Sequence, residues 1–432
     1  MNPAFIATEL RAELPAFMKD KRPLRDDDVA EKTEGHYFTG LPLVNSDPDT
    51  GFGFGARAYY FENGERTDDF FRYTPYRHRV FAQAFAGTRG YQYHTVDYDG
   101  PYVDGSPVRI RASVAYERNT ATNYFGTGAT TLNRLRFPGE DRTFASYSEY
   151  DDAKRAQNFA RYDQYILTRP QATATVERDF FGGVVRGLVG FTFAYVAIDQ
   201  WTGREDEGKT QAKTRLDEDC AARRVAGCGG GFTNALKLGV AYDTRDFEPD
   251  PNSGVFVDLT SELAGRAIGS EQDWARLTFS PRFYWSPFPK LADLVVATRL
   301  VGSVQTKDTP FYVMNQLSFT DTNREGLGGL RTIRGYHLNR FVGRFETLAN
   351  LEVRWTFFEF DALRRQHFAL MAVPFIDVGR VFDSWDDFEL DRFRNAQGAG
   401  LRIAWNQATI ISIDYGVSRE QSALYINFNH PF

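Results

Sequence analysis

The sequence has no apolar run near the ~18 residues that a spanning helix requires, so helical membrane spans are excluded. It contains two cysteines, Cys220 and Cys228. That is too few for a four-cysteine metal site, and their spacing alone leaves a small disulfide loop and two free thiols equally open. The opening stretch from Met1 to Ile6 has neither a basic start nor a long apolar segment, so no secretory leader is visible. Histidines number six and are scattered, and neither HExxH nor GxSxG occurs. No nucleophile has a base placed beside it in the sequence, so an enzyme, including a phospholipase, is not expected. No cofactor, metal or nucleic-acid partner is expected either.

Aromatics, in contrast, are abundant: 38 Phe, 22 Tyr and 6 Trp, within an apolar fraction of 42%. Mean hydropathy is nevertheless −0.45. Moderate hydropathy with many aromatics and glycines fits a barrel in which every second residue faces lipid, although a soluble sandwich or propeller shares this composition. The pattern along the chain has to separate them.

Residues 1–36 differ from the rest. Ile6, Leu10 and Leu14 fall at helical spacing, which predicts a short amphipathic helix ending at Pro15, followed by a polar linker from Lys19 to Glu34. From residue 37 to 432 the period is two. Leu351, Val353, Trp355 and Phe357 alternate with Glu352, Arg354 and Thr356, and Ile411, Ile413, Tyr415 and Val417 alternate with Ser412, Asp414 and Gly416. The apolar faces are bulky and several end in Trp285, Trp355, Trp405 or Tyr415, as an aromatic girdle requires. Sixteen strands are expected, near 37–45, 52–61, 77–88, 91–99, 107–118, 161–178, 184–198, 232–244, 254–264, 274–285, 293–304, 344–358, 368–378, 397–405, 409–418 and 423–432. An even number puts both chain ends on one side, and the long connections 119–160, 199–231, 305–343 and 379–396 then fall on the other. The fold expected is an all-β, 16-stranded antiparallel transmembrane barrel, with export implying that a targeting segment has been removed.

One connection stands out. Gly328-Gly329-Leu330-Arg331-Thr332-Ile333-Arg334-Gly335-Tyr336 lies in a loop of about 39 residues, a length that marks functional or disordered segments. Its Gly, Leu, Ile and Tyr content favours a loop folded back into the lumen. Arg334 would then need carboxylates, and Glu352 and Asp377 face inward by alternation. The plain alternative is an external loop with a solvated arginine.

Ile333-Arg334-Gly335-Tyr336 resembles the Arg-Gly-aromatic loop tip of the BamA/TamA superfamily, the bacterial surface antigen barrels. Phe375-Ile376-Asp377-Val378-Gly379 resembles that family's Phe-x-Asp-x-Gly strand motif. Asn350-Leu351-Glu352-Val353 is similar to its acidic neighbour strand, Asp243-Thr244-Arg245-Asp246 to a recurrent turn, and Asn123-Tyr124-Phe125-Gly126-Thr127-Gly128 to a loop pattern. The resemblance runs from about residue 37 to the end. It implies that Arg334 is held inside the barrel by Glu352 and Asp377. It also implies an outer-membrane location, contact with lipid, and insertion or translocation of proteins or lipids. Fewer than forty residues precede the first strand, so POTRA domains have no room in this sequence. A passive pore and an export barrel for an N-terminal passenger are the alternatives.

Leu424, Ile426, Phe428 and Phe432 are expected to share one face of the last strand, and a terminal Phe resembles the signal that assembly machinery reads on such barrels. Pro42 and Pro431 lack a donor in the first and last strands, which points to a weak seam, where this family is thought to open sideways. Two patterns are set aside. Gly203–Thr210 has phosphate-loop spacing but carries three acids and no apolar helix follows. Asp243, Asp246, Glu248 and Asp250 lack the spacing of a known calcium loop and are expected to form a solvated turn.

Overall fold

Alternating apolar and polar residues force each strand to bury one face and expose the other, and curling the sheet into a ring brings its two edges together. The computed structural model describes residues 23–24, 29–30, 32–246, 250–289, 293–362, 366–405, 409–428 and 430–432. The helix expected around Ile6, Leu10 and Leu14 lies outside them, as does Glu248.

The wall consists of sixteen antiparallel strands. They are β1 (His36–Asp47), β2 (Gly51–Glu62), β3 (His78–Gly87), β4 (Tyr91–Gly100), β5 (Val108–Asn123), β6 (Gln164–Phe180), β7 (Val185–Asp199) and β8 (Ala235–Asp243), then β9 (Gly254–Ala264), β10 (Trp274–Trp285), β11 (Asp293–Gln305), β12 (Phe345–Ala362), β13 (Gln366–Phe382), β14 (Arg394–Trp405), β15 (Thr409–Ser418) and β16 (Ser422–Phe428). Each pairs with its sequence neighbours, and β1 meets β16 to close the cylinder. The sixteen expected strands are all present. Several run longer, β5 to Asn123 and β12 to Ala362, while β16 stops at Phe428 rather than at 432.

Outside, the wall carries a belt of exposed apolar side chains, among them Val114, Val189, Phe193, Leu259, Phe279 and Leu351. A water-exposed wall would not carry so large a continuous apolar surface, whereas lipid rewards it. Trp285, Trp355 and Tyr415 point outward as expected. A register shift between Thr356 and Phe358 breaks the alternation, and Phe357 and Phe358 both face out. No described helix is long and apolar enough to cross a membrane.

The long connections gather at the end opposite the chain termini. They include α1 (Tyr147–Ala156), α2 (Arg215–Ala221) and α3 (Phe311–Met314). One cluster in this cap packs Phe125, Leu135, Phe137, Phe144, Tyr150 and Tyr162. Below it, Leu317, Phe319, Leu327, Ile333, Tyr336 and Phe341 of the 306–344 connection pack against Val301, Leu348, Val381 and Ala396 of the wall. The long loop therefore folds into the lumen and packs against its wall. At the opposite mouth Lys32 is buried rather than solvated. Its Nζ donates to the Phe71 and Thr74 carbonyls at 2.8 Å and sits over the Phe71 ring.

Candidate functional site

Arg334 is fully buried, at 0% exposure, and a buried charge has to be compensated by groups such as carboxylates on the wall. Strand alternation supplies them. Glu352 on β12 and Asp377 on β13 point inward one register step apart, because Asn350 pairs with Asp377 and Glu352 with Phe375. Arg334 binds Asp377 in a fork, Nε to Oδ2 at 2.8 Å and Nη2 to Oδ1 at 2.8 Å, while its backbone N–H donates to the same Oδ2 at 3.1 Å. Nη1 donates to Glu352 Oε1 at 2.7 Å. The guanidinium lies 3.4 Å above the Phe375 ring centroid. The two expected partners are in place.

The set is larger than expected. Asp414 Oδ2 on β15 lies 3.5 Å from Arg334 Nη1, and Arg402 on β14 binds Asp414 at 2.5 and 3.1 Å. Arg354 donates to Glu352 Oε2 at 3.0 Å. Three arginines thus face three carboxylates across four adjacent strands, with all six residues at most 3% exposed. The set is neutral as a whole, and each member's removal leaves an uncompensated charge. Asn350 ties the wall to the loop backbone, its Nδ2 donating to Asp377 Oδ1 and to the Thr332 carbonyl, both at 2.7 Å. Asp414 and Arg402 were visible as polar residues of alternating strands, but nothing in the sequence brought them to Arg334.

Gly335 and Gly379 are glycines because the loop tip touches the wall. Gly335 has φ +95°, and a Cβ there would meet backbone atoms of Ser418, Gly416 and Val417 at 3.0–3.1 Å. At Gly379 a Cβ would meet Ile333 Cδ1 at 2.8 Å and the Thr347 carbonyl at 3.0 Å. Tyr336 stacks edge-on against Phe341.

The loop also reaches both edges of the closure. Gly335 N–H donates to Tyr425 Oη of β16 at 3.0 Å. Leu338 N–H donates to Asp49 Oδ2 at 2.7 Å, and His337 Nδ1 lies 2.5 Å from Asp49 Oδ1, in the turn between β1 and β2. Burial alone would raise the Asp49 carboxyl, but His337 and the Leu338 amide bring it below its ordinary value. The Asn123–Gly128 motif joins the same assembly. Asn123 Nδ2 donates to Asp49 and to the Leu338 carbonyl, and Gly128 N–H donates to the Val342 carbonyl. Arg340, with its fork on Glu420, also donates to the Thr131 and Asn133 carbonyls.

Other expected residues lie apart from the loop. Cys220 and Cys228 are disulfide-bonded in the cap at the end of α2, with Cα atoms 5.9 Å apart. Gly203–Thr210 forms a small hairpin in which Glu205-Asp206 pairs with Lys209-Thr210. Asp243 is held by Arg186 and Arg245, Asp246 accepts from the Asn252 and Ser253 amides, and Asp250 from His430. Phe428 ends β16, but Phe432 does not share its face. Beyond β16 the chain turns inward, and the Phe432 ring packs in the lumen against Tyr284, Val295 and Ala297. Pro431 cannot donate to a ladder, and Arg354 and Arg299 draw the tail to the far wall.

Below the loop the lumen holds a cavity of about 2030 Å³, lined by residues that include Tyr91, Arg169, Lys237, Arg276 and Arg324.

A model of the Omp85 superfamily domain matches residues 78–429, and a domain of unknown function, DUF5982, matches residues 14–77. The second match covers β1 and β2, which are nevertheless laid into the same wall, twelve residue pairs joining them to each other. A search of the curated proteins gives no match. Among solved structures, the chain is similar to BamA from Haemophilus ducreyi lacking POTRA domains 1–3, at 12% identity, 92% of this chain, 70% of that chain and a TM-score of 0.55. It is also similar to CdiB from Escherichia coli, at 10% identity, 90% of this chain and a TM-score of 0.53, and spans 62% of that chain. At these identities the likeness is one of fold.

Proposed function

The chain belongs to the Omp85 superfamily, whose barrels sit in the bacterial outer membrane, and from that premise we propose that it inserts or translocates protein segments or lipids through its own seam. The observation that carries this reading is the closure itself. Among the described residues β1 and β16 share a single ladder pair, Ser46 with Ile426, whereas β1 and β2 share twelve. Each missing pair forfeits ladder bonds worth about 0.5–1.5 kcal/mol apiece, so the wall separates here before anywhere else. The inward loop holds both edges, through Tyr425 on one side and Asp49 on the other. Arg334 and its carboxylates fix the loop, and the loop thereby governs the seam.

The test is a disulfide across the closure. Ser46→Cys with Ile426→Cys, oxidised in cells where this is the sole copy, is expected to abolish rescue of the deletion phenotype, and a reductant is expected to restore it. Full rescue by the completely cross-linked barrel overturns seam opening.

A passive pore makes a different prediction. The packed loop core obstructs the lumen, and the cap clusters pack over its outer end. In planar bilayers the purified barrel is expected to give small, flickering currents. A large, steady conductance would instead favour the pore.

A further inference from the structure

The inner wall of β10, β11 and β12 forms a pocket that this chain fills with one of its own aromatic residues. Phe432 packs on Tyr284, Val295 and Ala297. The guanidinium groups of Arg299 and Arg354 lie 4.9 and 5.5 Å from its ring centroid. Arg354 Nη2 donates to the Phe432 main-chain oxygen at 3.1 Å. His430, two residues earlier, is buried and anchors to Asp250 at 3.0 Å.

The pocket is equipped for more than this occupant uses. Arg354 is 3% exposed, yet its Nη1 is buried without an acceptor. Arg299 is 2% exposed and binds the amide oxygen of Asn350 and the Arg331 carbonyl, with no carboxylate bonded to it among the described residues. Two cations thus flank an apolar seat for one ring, and one of them keeps a donor without a partner. Burying a charged donor without a partner is costly, and such an arrangement is kept where an acceptor arrives with a ligand. The seat opens onto the lumenal cavity, which includes Tyr284, Val295, Arg354 and Phe432 in its lining. Its resident lies past the end of β16 at Phe428 and is held by side-chain contacts rather than by strand pairing.

We propose that this pocket is a binding site for an extended peptide segment presenting an aromatic side chain and a neighbouring acceptor oxygen, and that residues 430–432 are its resident, displaceable occupant. Specificity comes from the ring seat on Tyr284, Val295 and Ala297, and orientation from Arg354. The site shares Arg354 with the charge set at the loop tip, and its resident follows β16, but peptide binding can be read by itself, whatever the barrel transports.

The test uses the purified full chain in detergent, with heat-modifiability confirming the fold, and a fluorescent peptide of residues 422–432. Phe432→Ala vacates the seat, and the peptide is expected to bind this variant at least tenfold more tightly than the wild-type chain. The same peptide with Ala at its last position is expected to bind at least tenfold more weakly. Ala297→Phe in the Phe432→Ala background fills the seat and is expected to remove binding. Asp250→Asn, which loosens the His430 tether while keeping Phe432, is expected to raise binding above wild type and provides the test if Phe432→Ala does not fold. Equal binding of the two peptides, binding unaffected by Ala297→Phe, or no binding to any folded variant overturns the site.

Discussion

Arg334→Ala is expected to be the most damaging single truncation in the barrel, costing about 3–5 kcal/mol, because removing one partner of a buried charge set leaves the others uncompensated. Asp377 then loses its fork, Glu352 keeps Arg354, and Asp414 keeps Arg402, so the balance changes from three against three to two cations against three anions. The ring of Phe375 is uncovered as well. Heating before electrophoresis is the measurement: the folded band is expected to disappear at a clearly lower temperature than in the wild type. Arg334→Lys is expected to recover little, since an ammonium cannot reproduce the fork on Asp377 or lie flat on an aromatic ring. Pairing Arg334→Ala with Asp377→Asn removes the orphaned charge and is expected to cost less than the two single changes summed. An unchanged transition for Arg334→Ala would show that the set contributes no stability.

Gly335→Val carries the second large effect, and its cause is steric rather than electrostatic. At φ +95° a β-branched residue is strained by about 1–3 kcal/mol before any contact is considered. The added Cβ also presses on the backbone of β15, which has little freedom to retreat because it is paired on both sides. Overpacking of this kind adds about 1–3 kcal/mol. The loop tip is therefore expected to leave the wall, taking the Gly335–Tyr425 bond with it. Protease added outside is expected to cut the 306–344 connection in this variant and to leave it intact in the wild type. Equal resistance in both proteins would show that the tip tolerates a side chain and that the contact is loose.

Both predictions rest on residues that could be picked out before any coordinates. Alternation alone put Glu352 and Asp377 on the inner face, and the charge of a folded-back Arg334 demanded them. The same alternation contained Asp414 and Arg402, but periodicity gives only the face a residue occupies. Which inward residues meet depends on shear between strands and on the depth to which the loop descends. His337 with Asp49 and Arg340 with Glu420 were invisible for a related reason: these partners are 288 and 80 residues apart, in connections where no period applies. Phe432 failed differently. Its spacing fits the outer face of β16, yet the ladder ends at Phe428, and past the last ladder bond the period has no physical basis.

The sequence by itself determined the number of strands, the side on which the long loops gather and the two faces of the wall. These follow from short-range rules, the two-residue repeat and the cost of exposing polar groups to lipid. Tertiary structure alone decided that three arginines meet three carboxylates, that the described residues of β1 and β16 close the cylinder with one ladder pair and that Phe432 turns inward. Those outcomes depend on how closure brings distant strands into register, and register is a property of the whole ring rather than of any one strand.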